Sequence, residues 1–152
     1  MDDFMSLALA EAERAAALGE VPVGAVLVRE GSVVASAHNE RQTRRSPSAH
    51  AEFLCIERAC ASLGTRILSG CTLYVTLEPC PMCAGLILAA RVEKVVFAAP
   101  DPAAGCFGSV LDFSKAPLGF SPKIERSPSE PCSRLLTEFF REMRERNSRL
   151  KC

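Results

Sequence analysis

Thr72-Leu73-Tyr74-Val75-Thr76-Leu77-Glu78-Pro79-Cys80-Pro81-Met82-Cys83 runs from a strand directly into a helix. Thr72–Leu77 reads as the strand, and Pro79 ends it. Pro81 suits a first helical turn, where its missing N–H costs nothing, and the helix continues to about Ala90. Working outward, Val92–Ala99 is a second strand, apolar enough to be buried on both faces. Upstream, Ala49–Leu63 has helical periodicity through Phe53, Ile56, Cys60 and Leu63, with Gly64 as its stop. Val23–Arg29 and Val33–Ala37 flank Glu30-Gly31-Ser32 as a hairpin. Residues 3–18 form an amphipathic helix with Phe4, Leu7, Ala8, Ala15 and Leu18 on one face, Asp2 or Asp3 as cap and Gly19 as end. Arg41–Ser48 is a polar loop. Residues 100–122, rich in proline and glycine, form a longer one, of a length that usually carries function. Lys123–Arg126 is a short edge strand, and Pro131–Arg149 a final amphipathic helix. Strands alternating with helices argue for an α/β sandwich around a mixed sheet, the hairpin supplying its antiparallel part.

Two short motifs carry the chemistry. Cys80 and Cys83 lie one helical turn apart on one face, so both sulfurs can reach a single metal ion. His50, in His50-Ala51-Glu52, opens another helix and can supply a third ligand through one of its ring nitrogens. Three protein ligands are one short of a closed tetrahedral site, and an open fourth position for water separates catalytic from structural zinc. Zinc brings the pKa of bound water towards ~7. Two thiolates weaken that effect, so a nearby base is needed. Glu52, two residues beyond His50, is placed to move the proton. Each piece alone has an ordinary reading: a structural histidine, a solvated helix glutamate, a C-x-x-C redox pair after a strand. Together they point to catalytic zinc, and the order H-x-E then P-C-x-x-C is the known signature of zinc nucleobase deaminases.

The 152 residues are expected to form a single domain, 1–152, with a full-sized core. Hydrophobic residues make up 48% and charged residues 24%, ordinary proportions for a soluble protein. No apolar run is long enough for a membrane helix, and the acidic start lacks the layout of a signal peptide. A cytoplasmic location is therefore expected, with the eight cysteines reduced. Cys55, Cys60, Cys71, Cys106 and Cys132 read as small buried hydrophobes, and Cys152 as exposed. Lys plus Arg equals Asp plus Glu at 18 each, so any nucleic-acid footprint must be local. Arg41/Arg44/Arg45 and the tail with Arg141, Arg144, Arg146, Arg149 and Lys151 are the candidates. Solvated helix faces are the plainer reading of both.

Longer stretches sharpen the signature. Glu20-Val21-Pro22-Val23-Gly24-Ala25-Val26-Leu27-Val28, Ala49-His50-Ala51-Glu52, and Leu73 through Gly85 closely resemble the bacterial tRNA-specific adenosine deaminases. So do Val95-Val96-Phe97, Gly108-Ser109 and Phe139-Phe140-Arg141, and the similarity covers nearly the whole chain in order. The resemblance implies a three-layer α/β/α sandwich with a mixed, about five-stranded sheet, the cytidine-deaminase-like fold. It implies a homodimeric hydrolase that converts the wobble adenosine of a tRNA anticodon stem-loop to inosine. One zinc ion per chain would sit on His50, Cys80 and Cys83, with Glu52 as proton shuttle. Asn39 matches the asparagine that hydrogen-bonds the purine. Asp101 and Asp112 match acidic positions in the loop near the RNA. Phe140, beside Arg141, matches an aromatic of the last helix that lies against the anticodon loop, although aromatics on a helix are more usually core. The chain departs from the family at Pro100 and Ala103, where basic residues are common, and at Phe107, where a small residue is. Two fewer positive charges should weaken RNA binding or move it onto Arg44, Arg45 and Arg141.

Three rival readings remain at this level. A deaminase of a free base, such as guanine or cytosine, shares the zinc motif. A thiol oxidoreductase would not need His50 or Glu52, and a non-catalytic zinc module needs a fourth protein ligand.

Overall fold

The computed structural model describes residues 3–150; Asp2, Lys151 and Cys152, named above, lie outside the described residues. Ten elements follow in order: α1 (Asp3–Ala17), β1 (Gly24–Arg29), β2 (Ser32–His38), α2 (Arg41–Arg44), α3 (Ala51–Leu63), β3 (Cys71–Leu77), α4 (Pro81–Ala89), β4 (Lys94–Ala99), β5 (Lys123–Arg126) and α5 (Glu130–Leu150). The five strands form one sheet in the order β2-β1-β3-β4-β5. β1 pairs antiparallel with both β2 and β3, whereas β3–β4 and β4–β5 are parallel. The β1–β2 connection is the two-residue turn Glu30-Gly31, both with positive φ, the twist that suits a tight hairpin.

Alternation along the strands divides the core into two layers. Ala25, Leu27, Leu73, Val75, Val95 and Phe97 face one side, where Ala51, Cys55, Ile56 and Ala59 of α3 and Ala84, Ile87 and Leu88 of α4 cover them. Val26, Val28, Val96 and Ala98 face the other, against Met5 and Ala8 of α1 and Cys132 of α5. This is the expected α/β/α sandwich. β4 is buried on both faces, as its composition implies.

Two local expectations are corrected. The buried seam of α1 is Met5, Ala8, Ala12 and Ala15, while Leu7 and Leu18 are exposed. Small residues win this face because the helix lies very close to the sheet: a Cβ on Gly24 would fall 2.0 Å from the Ala8 carbonyl oxygen. Arg41–Arg44, expected as loop, forms the short helix α2. The long segment after β4 carries no helix or named strand, only the bridge Phe107–Asp112. No helix among the described residues is long and apolar enough to cross a membrane. Cys55, Cys71, Cys106 and Cys132 are buried free thiols, and Cys60 is half-buried.

Candidate active site

His50 and Cys80 occupy equivalent positions in two different units. Each is the N-cap of its helix, with extended backbone (φ −75°, ψ 153° and φ −78°, ψ 174°), and neither side chain caps its own helix. Both side chains are thereby left to point across the gap between α3 and α4. Pro81 begins α4, and Cys83 follows one turn on, fully buried.

His50 Nδ1 lies 3.6 Å from Cys80 Sγ and 3.6 Å from Cys83 Sγ. This settles which ring nitrogen faces the thiols. Tetrahedral zinc with ordinary Zn–N and Zn–S bonds would hold such atoms about 3.6 Å apart, so the donor set fits that ion in spacing and chemistry. These three side chains are the only group of this kind among the described residues, their ligand atoms all within 4.8 Å of one another. They are positioned to bind one metal ion.

Electrostatics agree with that arrangement. A hydrogen bond from Cys83 is the main influence holding Cys80 down to about 4, with His50 assisting against burial. Cys83 is pushed up by the same bond and by its burial. The hydrogen bond with Cys80 raises His50 above its usual value. The two thiols thus differ, Cys80 favouring the thiolate and Cys83 the protonated form, so binding of a metal by both would release the Cys83 proton. Glu52, in the first turn of α3, is 4% exposed. Burial pushes its carboxyl up to about 7.

These groups open onto a cavity of about 290 Å³, whose walls include Val21, Asn39, Arg41, Leu77, Asp101 and Phe140. Asn39 is buried; its Nδ2 donates to the Val21 carbonyl at 3.2 Å and its Oδ1 accepts from the Arg41 N–H at 3.2 Å. Asp101 is at the wall, but its Oδ1 is engaged by the N–H groups of Ala103 and Ala104. Phe140 stands at the rim, 39% exposed, with Phe139 edge-on to it and half-buried. Neither ring is core. Asp112 and Arg141 are not part of the wall: Asp112 Oδ1 accepts the N–H and hydroxyl of Ser114, and Arg141 is exposed on α5. Arg144, one turn of α5 beyond Phe140, borders an adjoining groove of about 570 Å³ with Asp101 and Phe140. Arg44 is held by Glu40 at 2.9 Å.

Sequence reasoning missed two buried carboxylates that hold these walls. Glu20, 1% exposed, accepts the N–H groups of Gln42 and Thr43 at 3.0 and 2.7 Å, anchoring α2 beside Asn39 and Arg41. Glu78, 2% exposed, binds the loop beyond β4. The available signal was an acidic residue beside an apolar strand with no basic neighbour to pair it.

Comparison with known proteins agrees with the geometry. The family model of the cytidine and deoxycytidylate deaminase zinc-binding region matches residues 1–99. The chain is 49% identical over 146 residues to the tRNA-specific adenosine deaminase of Bacillus subtilis, covering 94% of this chain and 90% of that one. A solved structure from studies of A-to-I editing by tRNA deaminases at the wobble position of transfer RNA superposes with TM-score 0.85 at 41% identity, covering 88% of this chain and 98% of the other. The guanine deaminase of Bacillus subtilis superposes with TM-score 0.62 at 31% identity, covering 78% of this chain and 88% of the other. The chain belongs to the zinc-binding cytidine and deoxycytidylate deaminase family and, within it, to the tRNA-specific adenosine deaminases.

Proposed function

We propose that this chain, as a single deaminase domain of residues 1–152, hydrolytically converts adenosine to inosine at the wobble position of a tRNA anticodon. The observation that carries the reading is the three-ligand set of His50, Cys80 and Cys83 opening onto a cavity with Glu52 buried at its floor. Zinc held by His50, Cys80 and Cys83 would supply the Lewis acidity that makes a water a competent nucleophile near neutral pH. Glu52 would take one proton from the attacking water and pass it to the purine ring nitrogen, then take the second from the hydroxyl added to the ring carbon and deliver it to the amine as the C–N bond breaks. Its raised pKa suits a group that must both accept and release a proton. Asn39 retains one unused amide hydrogen and one unused lone pair after its two local bonds, enough to read a purine edge. The exposed ring of Phe140 supports stacking of a neighbouring base. Asp101 acts through the wall that it shapes, and the exposed Arg141 and the loop residue Asp112, both outside that wall, are assigned to flanking RNA.

The proposed assembly is a cytoplasmic homodimer. A groove between α3 and α4, lined by Ile56, Cys60, Ala61, Leu86 and Ala89, supports a packed partner there.

The second reading is deamination of a free purine, favoured by the likeness to guanine deaminase. One experiment separates them: turnover of an anticodon stem-loop carrying adenosine at the wobble position, of free adenosine and of free guanine. The stem-loop is expected to be preferred by at least ~10²-fold in kcat/KM, since remote contacts orient the reacting ring. Equal or better turnover of guanine would install the second reading.

A further inference from the structure

Glu78 is a charged residue where an apolar strand ends, and its burial requires compensation. Its own N–H donates to the Ala99 carbonyl at 2.8 Å, fixing it to the end of β4. Its carboxylate then accepts from a single downstream segment. Oε1 takes the Asp101 N–H at 3.1 Å and the Ser109 hydroxyl; Oε2 takes the N–H groups of Phe107 and Ser109 at 2.9 and 3.1 Å. Four donors match the roughly four lone-pair sites of an ionised carboxylate. The segment also closes tightly over the group. A Cβ on Gly105 would lie 2.3 Å from the Glu78 carboxyl carbon, so only glycine permits the approach. Residues 101–109 lie in no helix or named strand; besides the Phe107–Asp112 bridge and turn hydrogen bonds such as that from the Cys106 N–H to the Pro79 carbonyl at 2.9 Å, this carboxylate is what ties the segment to the end of β3.

The consequence lies in what the segment borders. Asp101 and Ala104 wall the cavity beside His50 and Glu52. Asp101, Pro102 and Ala103 also wall the adjoining groove that contains Phe140 and Arg144. One loop therefore separates the place of the reacting base from a larger recess with an aromatic face and a cation.

We propose that Glu78 is a positioning residue: it fixes the 101–109 loop as the wall that holds nucleotides flanking the target base. It thereby sets affinity for a nucleic-acid substrate over a free base or nucleoside. This rests on the functional reading given above.

Glu78→Gln tests it. The carboxamide has one acceptor oxygen, which can keep the Phe107 and Ser109 N–H groups. Its NH₂ then faces the Asp101 N–H, while the Ser109 hydroxyl can turn to accept. The change selectively releases the end of the loop between cavity and groove. KM for the anticodon stem-loop is expected to rise about tenfold, the scale of one lost charge-assisted hydrogen bond, with kcat reduced by less than about twofold. Preference for the stem-loop over free nucleoside should fall by the same factor, with one zinc per chain retained. Ser109→Ala removes one donor to the same carboxylate. It should shift KM the same way by less, and the double variant should be no worse than Glu78→Gln, because the two share one contact. Loss of kcat at unchanged KM, or equal losses for stem-loop and free nucleoside, would overturn the proposal. Fluorescence anisotropy with the stem-loop keeps the two readings apart. RNA binding without deamination by the unaltered protein refutes the function and leaves the Glu78 comparison to be read in Kd. No RNA binding at all refutes both.

Discussion

At the residue scale, the site divides labour between groups that hold and one group that moves a proton. His50, Cys80 and Cys83 face one another at the spacing of a tetrahedral ion, and each is fixed by a helix start or first turn. The hydrogen bond from Cys83 draws the Cys80 thiol well down, favouring the thiolate form that a metal ligand requires. Glu52 has no such task. Its carboxyl, buried and raised to about 7, sits where a proton can be held or released at little cost. Glu52→Gln keeps shape and volume but cannot accept a proton from water. It should lower kcat by ~10²–10⁴-fold or more, with zinc content by elemental analysis and stem-loop affinity nearly unchanged. Turnover within tenfold of the unaltered protein would assign the proton transfer to another group.

At the scale of elements, α2 exists because Glu20 lies beneath its start. With four residues it is too short to be stable alone, and its first donors are taken by a carboxylate arriving from the α1–β1 connection. Burial opposes the charge on Glu20, yet the N–H groups of Thr43 and Gln42, with Arg41 nearby, outweigh it and hold the carboxyl below its ordinary value of 4.5. A lowered folded-state pKa means that the stabilisation is fully present above pH ~4.5 and disappears as pH falls through the folded value. Glu20→Gln should therefore cost about 1–3 kcal/mol at neutral pH, as expected for a buried charge-assisted pair of bonds. Urea melts of both proteins should differ at pH 7 and converge as pH falls through the lowered folded-state value, below 4.5, and a constant gap down through that range would refute the account. Glu20 also shows where legibility ended. Strand β3, helix α4, the hairpin and the edge strand β5 were readable because periodicity, Gly31, Pro79 and Pro81 act locally. The ligand set was readable because N-cap positions and one-turn spacing are local too. α2 and the anchored loop at 101–109 were not, because their donors are satisfied by Glu20 and Glu78 from distant parts of the chain. The α1 face was misjudged for a related reason: leucines outrank alanines in hydropathy, but helix-to-sheet distance selects Ala8, Ala12 and Ala15.

At the scale of the whole molecule, the metal site lies on top of a core that is complete without it. Both faces of the sheet are covered, and Leu27, Ile56, Leu73, Val75, Ile87, Val92 and Val95 are all within 1% of full burial. Small zinc modules behave differently, since their chains gain too little from apolar burial to fold before the ion binds. Here an ion held by His50, Cys80 and Cys83 would join the starts of α3 and α4, two helices on one face of the sheet, and add to a fold already formed. Without it the three ligand groups still partner one another, His50 Nδ1 standing 3.6 Å from each sulfur. Stability should nonetheless fall by mass action, by about 4 kcal/mol when free zinc had stood at ~1,000 times its Kd. For a chain of this size that corresponds to a Tm lower by roughly 10 °C. Chelated protein should keep its far-UV circular dichroism at 25 °C and still unfold in a single cooperative transition at the lower temperature. Re-addition of zinc should restore the Tm, and His50→Ala should sit at the chelated value and respond little to zinc. A chelated protein with no cooperative transition would show that the site organises the fold, against everything the packing of the two core layers implies.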